Sequence, residues 1–125
     1  MHPDNYRDLS CQHQIFKKEL HTVIGQEIKT LRKSKGITGY ELGSIIKLSQ
    51  QQISRYENGD SAIPLDTLIL ILRVFNISPE KFIHRVLFIL NRDPDAKKLL
   101  SHMSNHLNIY TDNSYLGTFE QYKHN

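Results

Sequence analysis

Two short helices joined by a tight corner are predicted between Thr38 and Gly59, where the sequence reads TGYELGSIIKLSQQQISRYENG. Apolar residues recur at helical spacing on both sides of the corner: Leu42, Ile45 and Ile46 before it, Ile53 and Tyr56 after it. Each helix therefore has one apolar face to bury on a common core. The opposite faces remain free for solvent or a partner.

The second helix of this pair is predicted to span about Gln50 to Glu57. Ser49 is a good N-cap because its hydroxyl can accept a backbone N–H of the first turn, and Asn58 with Gly59 supplies a C-terminal stop. The free face carries amides, a hydroxyl and a guanidinium rather than the usual mixture of Lys and Glu. These residues are Gln50, Gln51, Gln52, Ser54 and Arg55.

Amide and guanidinium groups on a short helix suit the base edges of the DNA major groove. Gln can bind adenine N6 and N7, and Arg can bind guanine O6 and N7, each discriminating by roughly 1 to 3 kcal/mol. Consecutive glutamines at a helix start would enter the groove end-on. Taken alone, three glutamines are better explained by solubility, so the DNA interpretation depends on the surrounding sequence.

That surrounding sequence, from about Ile24 to Phe82, resembles the phage repressor family of helix-turn-helix proteins, the Cro/C1 or Xre type. The motifs are IGQEIKTLRKSKGIT, LSQQQISRYENG and PLDTLILILRVFNISPEKF, in that order. The resemblance implies an all-α, five-helix lambda-repressor-like fold whose second and third helices contact DNA, usually in a dimer on a two-fold related operator. LSQQQISRYENG is especially similar to the repressor of phage 434, and its combination with extra sequence at both ends resembles the MrpJ type of fimbrial regulator.

The resemblance also implies which residues contact double-stranded DNA. It places base contacts on Gln50, Gln51 and Arg55, with Gln52 and Ser54 expected to contact bases or backbone. The expected phosphate contacts are Gly39, Tyr40, Ser49, Asn58, Lys33 and Lys35. Gly39 stands where the family usually has Gln, so only its backbone N–H at a helix start remains to bind a phosphate.

A basic cluster without acidic residues supports the phosphate contacts of Lys33 and Lys35. It consists of Lys29, Arg32, Lys33 and Lys35. Two explanations stay open: the cluster lies against DNA phosphates, or it interacts with the C-terminal dipole of its own helix.

Two further positions depart from the family pattern. Lys47 occupies a corner position where Gly is usual, and positive φ there costs a non-Gly residue about 1 kcal/mol. We therefore expect a distorted corner at Lys47. Gly43 stands where Ala usually packs. The family also pairs the positions of Arg32 and Glu57 as a partly buried structural ion pair.

Three parts of the chain are expected: a helical extension at 1–21, a helix-turn-helix domain at 22–90, and a helix with a flexible tail at 91–125. The extension is predicted as a helix from about Asn5 to His21 that packs on the core or pairs with a second subunit. The first core helix is predicted from Thr22 to Lys35.

Apolar residues after Glu80 outnumber the faces that a five-helix core can cover, which indicates a partner, most simply a homodimer. A tail helix from Lys97 to Leu107 would cover this surplus within one subunit or across a dimer. The candidate interface residues are Phe82, Val86, Phe88, Ile89, Leu90, Leu99 and Met103. The helix from Leu65 to Phe75 is expected to be mostly interior, with Leu65, Leu68, Ile69, Leu72 and Phe75 as its apolar residues.

Composition narrows the function classes. The 125 residues, 38% of them hydrophobic, suit one small domain, and the net charge of +3 weakly favours an anionic partner. A single cysteine, no membrane-length apolar run and no secretion signal predict a cytoplasmic, nucleoid-associated protein. No nucleophile with a base and no phosphate-binding Gly loop is recognisable, so we expect no enzyme and no cofactor. His102 and His106 lack further ligands, so no metal site is expected.

Two function classes follow. The first is a dimeric, sequence-specific DNA-binding transcriptional regulator. The second is a protein-interaction module, such as an antitoxin that binds its toxin through residues 91–125 while regulating its own operon.

Overall fold

Five helices make up the computed structural model, which describes residues 3–94 and 97, with side chains described from residue 10 onward. They are α1 (Pro3–Ser34), α2 (Gly39–Ile46), α3 (Gln50–Glu57), α4 (Leu65–Val74) and α5 (Pro79–Leu90). No strand occurs in these ranges, so the predicted all-α, five-helix class is confirmed. None of the helices described is long and apolar enough to cross a membrane.

The predicted stop and start signals lie at the ends of the helices. Gly36 follows α1 with φ of 68°, and the N–H of Ile37 reaches back to the carbonyl of Arg32 at 3.1 Å. Ser78 is the N-cap of α5 and Pro79 its first residue, although the Ser78 side chain makes no capping hydrogen bond. The predicted bounds of α3 are confirmed at both ends.

The two helices predicted on either side of residues 21 and 22 are one helix, because α1 is continuous over 32 residues. The hydroxyl of Thr22 donates to the carbonyl of Lys18 at 2.9 Å, so it bonds within the helix and does not cap a new one. Phe16 and Leu20, from the expected extension, pack against the hydrophobic core. The extension therefore lengthens the first core helix.

Three expected dimer-interface residues lie instead in the subunit's own core. Phe82, Val86 and Leu90 are buried, because α1 packs along α5 and covers its apolar surface. Phe88 and Ile89 are half-buried. The expected tail helix, with Leu99 and Met103, lies outside the described residues.

One face of α4 and one residue of α2 are more exposed than predicted. Leu65 and Ile69, expected inside, keep 68% and 44% of their surface exposed, and Ile45 of α2 keeps 54%. The buried residues of this region are Leu68, Ile71, Leu72 and Phe75. The exposure of Leu65 and Ile69 means that the described helices leave the outward face of α4 uncovered.

An ion pair joins α1 to the C-terminal end of α3. The Nη2 of Arg32 donates to Oε2 of Glu57 at 3.1 Å, and its Nε donates to Oε1 of the same carboxylate. The remaining Nη1 donates to the carbonyl of Ile37 at 2.8 Å. The two side chains keep only 12% and 6% of their surface, so the guanidinium makes a bidentate contact with a nearly buried carboxylate.

The charge of Arg32 is stabilised by this arrangement. The hydrogen bond to Glu57 raises the pKa of the Arg32 guanidinium above its usual range, and the negative charge of Glu57 adds to the effect, while burial opposes it. The guanidinium therefore stays charged throughout the neutral pH range. A second pair, Arg85 with Glu27 at 3.2 Å, joins α5 to α1.

Gly25 lets α1 approach the backbone at the same end of α3. A Cβ atom at this position would lie 2.6 Å from the carbonyl oxygen of Glu57 and closer still to that of Tyr56. Real Cβ atoms do not come this close to backbone, so only glycine fits without moving a helix.

Gly25→Ala is expected to lower the free energy of unfolding by about 1 to 3 kcal/mol, because the added methyl group forces the two helices apart. Urea denaturation followed by circular dichroism measures the change. Gly39→Ala is the matched control, since its Cβ would meet nothing nearer than 3.8 Å. Equal stability of the two variants would contradict the close approach at Gly25.

Arg32→Ala is expected to cost roughly 3 kcal/mol, because it leaves the buried Glu57 carboxylate without its partner. Lys33→Ala removes a neighbouring exposed cation and should change stability by less than about 0.5 kcal/mol. Thermal denaturation of both variants tests this. If Arg32→Ala kept its thermal stability and lost only DNA affinity, the structural role of the pair would be wrong.

Candidate nucleic-acid interface

The outward face of α3 carries the side chains predicted to contact bases. Gln50, Gln51, Ser54 and Arg55 are exposed, whereas Gln52 is half-buried. The opposite face, with Ile53, Tyr56 and Glu57, is buried against the core. The amides and the guanidinium therefore point to solvent as one continuous polar surface.

The start of α3 is held by Ser49, whose side-chain oxygen accepts the N–H of Gln52 at 3.1 Å. Because the hydroxyl is used for capping, it has only its O–H left to donate to a phosphate. At the other end Asn58 is exposed, and its side-chain amide donates to the Ser54 hydroxyl at 3.4 Å. The structure thus brings both of these expected phosphate contacts to the two ends of the same polar face.

The corner between α2 and α3 turns at Lys47, which has φ of 64° and ψ of 40°. This is the left-handed conformation that favours glycine, and Lys47 adopts it with its side chain exposed. The N–H of Leu48 then donates to the carbonyl of Gly43 at 2.8 Å. The corner keeps an intact helix and an intact N-cap on either side, so the expected distortion does not disrupt either helix.

Gly43 is needed for this geometry. A Cβ atom there would overlap the carbonyl oxygen of Leu48, which the corner folds back over α2. The departure from Ala at Gly43 and the departure from Gly at Lys47 therefore occur together in one tight corner. Both departures were visible in the sequence, but the contact between Gly43 and Leu48 was not predicted.

The start of α2 has a reciprocal cap that the sequence analysis missed. The Thr38 side-chain oxygen accepts the N–H of Glu41 at 3.1 Å, and the Glu41 carboxylate accepts the N–H of Thr38 at 3.2 Å. A Thr followed three residues later by Glu is the recognisable signal for such a box. The box leaves the backbone N–H groups of Gly39 and Tyr40 for other acceptors, and the Tyr40 side chain is 68% exposed.

The basic residues expected to contact phosphates lie at the end of α1. Lys33 is the next-to-last residue of the helix and Lys35 follows it, and both are exposed. Arg32, between α1 and α3, is committed to Glu57 and Ile37. Within the basic cluster, Arg32 is therefore internal, whereas Lys33 and Lys35 are exposed.

Over the part of the chain that the structure describes, no three His, Cys, Asp or Glu side chains are grouped so that they could hold a metal ion. His102 and His106 lie outside that part. Cys11 is exposed on α1.

Comparison with known families identifies the same segment. Residues 28–82 match the helix-turn-helix family. This range begins within α1, contains α2, α3 and α4, and ends within α5. The predicted resemblance to helix-turn-helix proteins is thereby confirmed, while the Cro/C1 type and the particular likenesses to the phage 434 repressor and the MrpJ type stay predictions.

Two curated relatives are similar to about half of this chain. Antitoxin PezA of Streptococcus pneumoniae is 39% identical over 56 residues, which cover 45% of this chain and 35% of that protein. An HTH-type transcriptional regulator of Rickettsia prowazekii, itself uncharacterised, is 29% identical over 65 residues, 52% of this chain and 50% of that protein. The chain thus spans half or less of each relative, and no solved structure gives a significant match.

The corner, the capped α3 and its exposed polar face all lie inside the matched range. Residues 28–82 of this chain are therefore a helix-turn-helix domain.

Proposed function

We propose that the protein is a sequence-specific DNA-binding transcriptional regulator that places α3 in the major groove of its operator. The observation that carries this proposal is the exposed face of α3, where Gln50, Gln51 and Arg55 point away from a helix held at both ends. Side chains on a rigid element keep the geometry that bidentate base contacts require.

Phosphate contacts would set the depth and angle of α3 in the groove. The two backbone N–H groups that the capping box leaves at Gly39 and Tyr40 form one such contact at the start of α2. Ser49 and Asn58 would form others at the two ends of α3, and the exposed Lys33 and Lys35 would add charge. Such contacts position the domain without reading sequence.

We further propose that the regulator acts as a homodimer on two half-sites roughly 34 to 36 Å apart, one turn of DNA. One α3 reads only a few base pairs, so a second copy is needed for a site that is rare in a genome. The two-fold symmetry of the dimer would then be matched by a palindromic operator.

Arg55→Ala is expected to remove base preference at one operator position, a loss of roughly 1 to 3 kcal/mol of discrimination, because the guanidinium no longer binds guanine. Lys33→Ala should weaken binding to all sequences about equally and reduce the salt dependence by about one counterion. Selection from fragmented genomic DNA at two salt concentrations, followed by sequencing, measures both effects. If no sequence were enriched by the unchanged protein, the regulator proposal would be wrong.

A second function, an antitoxin that also regulates its own operon, is favoured by the 39% identity to antitoxin PezA. In this proposal α3 binds the operator, and residues 91–125 bind the toxin. The two activities would use separate parts of the chain.

This separation gives a test in which base reading and partner binding are removed one at a time. A toxic product of an adjacent gene should be neutralised by Arg55→Ala, which keeps residues 91–125 intact, but not by the double variant Leu99→Asp with Met103→Asp. Growth after co-expression is the measurement. If no adjacent gene is toxic, or if both variants neutralise equally well, the antitoxin proposal fails while the regulator proposal stands.

A further inference from the structure

The outward face of α4 carries two apolar residues between opposite charges. Ile69 and Leu70 keep 44% and 50% of their surface exposed, with Asp66 near the start of the helix and Arg73 near its end, both also exposed. At 100° per residue these four side chains fall within an arc of about 100°. Leu68, Ile71 and Leu72 occupy the opposite side and are buried.

The order of these four residues along α4 is symmetric about one point. The midpoint between Asp66 and Arg73 is also the midpoint between Ile69 and Leu70. If a second α4 lay antiparallel across this point, Asp66 would face the partner's Arg73, and Ile69 would face the partner's Leu70. The same two contacts would recur on the other side of the axis, as a two-fold interface requires.

The charges on this face are available for such a contact. Asp66 accepts the N–H of Thr67 at 2.8 Å through one carboxylate oxygen, and the other oxygen is not used in that bond. The ion pairs found within the described residues, Arg32 with Glu57 and Arg85 with Glu27, do not include Arg73. The charges are about 10 Å apart along the axis, too far to satisfy each other within one helix.

We propose that this face of α4 is the surface by which two copies of the chain associate, antiparallel, with Ile69 and Leu70 at the centre and two Asp66–Arg73 pairs at the rim. Charge complementarity selects a second copy as the occupant, because the pattern acid, apolar, apolar, base is complementary to itself after rotation. The inference deepens the proposed function, on which it rests, by naming the surface that joins two DNA-reading domains.

The charges also have a simpler role, since an acid in the first turn and a base in the last turn of a helix interact favourably with its dipole. The two roles predict opposite outcomes for exchanging the charges. Exchange places both charges against the dipole, so a helix-dipole role alone makes the double variant the worst of the series. Pairing across a dimer makes the double variant recover, because each new Lys meets a new Glu of the partner.

The test compares Asp66→Lys, Arg73→Glu and the double variant of the full chain by sedimentation equilibrium without DNA. Each single variant is expected to weaken the dimer at least about tenfold, because like charges then face each other at both rims. The double variant should return close to the dissociation constant of the unchanged protein. Circular dichroism verifies that all three variants are folded, and failure of the double variant to recover overturns the proposal.

The apolar centre has a matched control. Ile69→Asp should abolish the dimer. Ile83, on α5, is equally exposed at 44%, and Ile83→Asp should still sediment with the mass of a dimer. If the unchanged protein is monomeric, if both variants weaken the dimer alike, or if neither does, this face is not the interface. If residues 91–125 covered α4 instead, the protein would be monomeric, and Ile69→Asp would lower its stability whereas Ile83→Asp would not.

Binding of each variant to a single half-site separates this inference from the proposed function. A monomeric Ile69→Asp that still prefers the half-site sequence supports both proposals. A dimer that dissociates as expected but prefers no DNA sequence supports the α4 surface and contradicts the regulator.

Discussion

The orientation of α3 depends on the ion pair between Arg32 and Glu57. The carboxylate belongs to the last residue of α3, and the guanidinium spans from it to the carbonyl of Ile37, just before α2 begins. One side chain of α1 therefore ties down both helices of the corner. Gly25 brings the backbone of α1 against the same end, so α3 is fixed by charge and by close packing at once. Its outward face can then be exposed without being loose.

The corner shows how a sequence can depart from its family at two positions and keep the same geometry. Lys47 holds a left-handed conformation at a cost of about 1 kcal/mol relative to glycine. The strain is maintained by its surroundings: Leu48 bonds back to Gly43, and the absence of a side chain at Gly43 makes room for the Leu48 carbonyl. A distorted corner was the natural expectation from Lys47, because the contact between Gly43 and Leu48 is not visible in the residue types.

Local signals in the sequence predicted the extent of α3 well, and tertiary contacts decided what they missed. Ser49 and Gly59 correctly predicted the two ends of α3, because capping is a property of a few adjacent residues. The burial of Leu90, which lies beside Ile15 and Lys18, was not predictable in the same way. It depends on α1 continuing without a break past Thr22, and thereby covering an apolar surface that had been assigned to a dimer. Periodicity counts apolar faces, but it does not say which neighbouring helix is long enough to cover them.

The burial of the apolar residues of α5 also changes which surface is free to bind a second copy. Because α1 covers the buried apolar residues of α5, these are closed to a second copy, whereas Ile69 and Leu70 of α4 are exposed between opposite charges. An interface on α4 leaves α3 free to read DNA and leaves residues 91–125 free for a protein partner. The regulator and antitoxin proposals therefore share the helix-turn-helix domain, and base recognition by α3 is common to both. What distinguishes them is whether residues 91–125 bind a toxin, because that surface is separate from the ones that read bases and join copies.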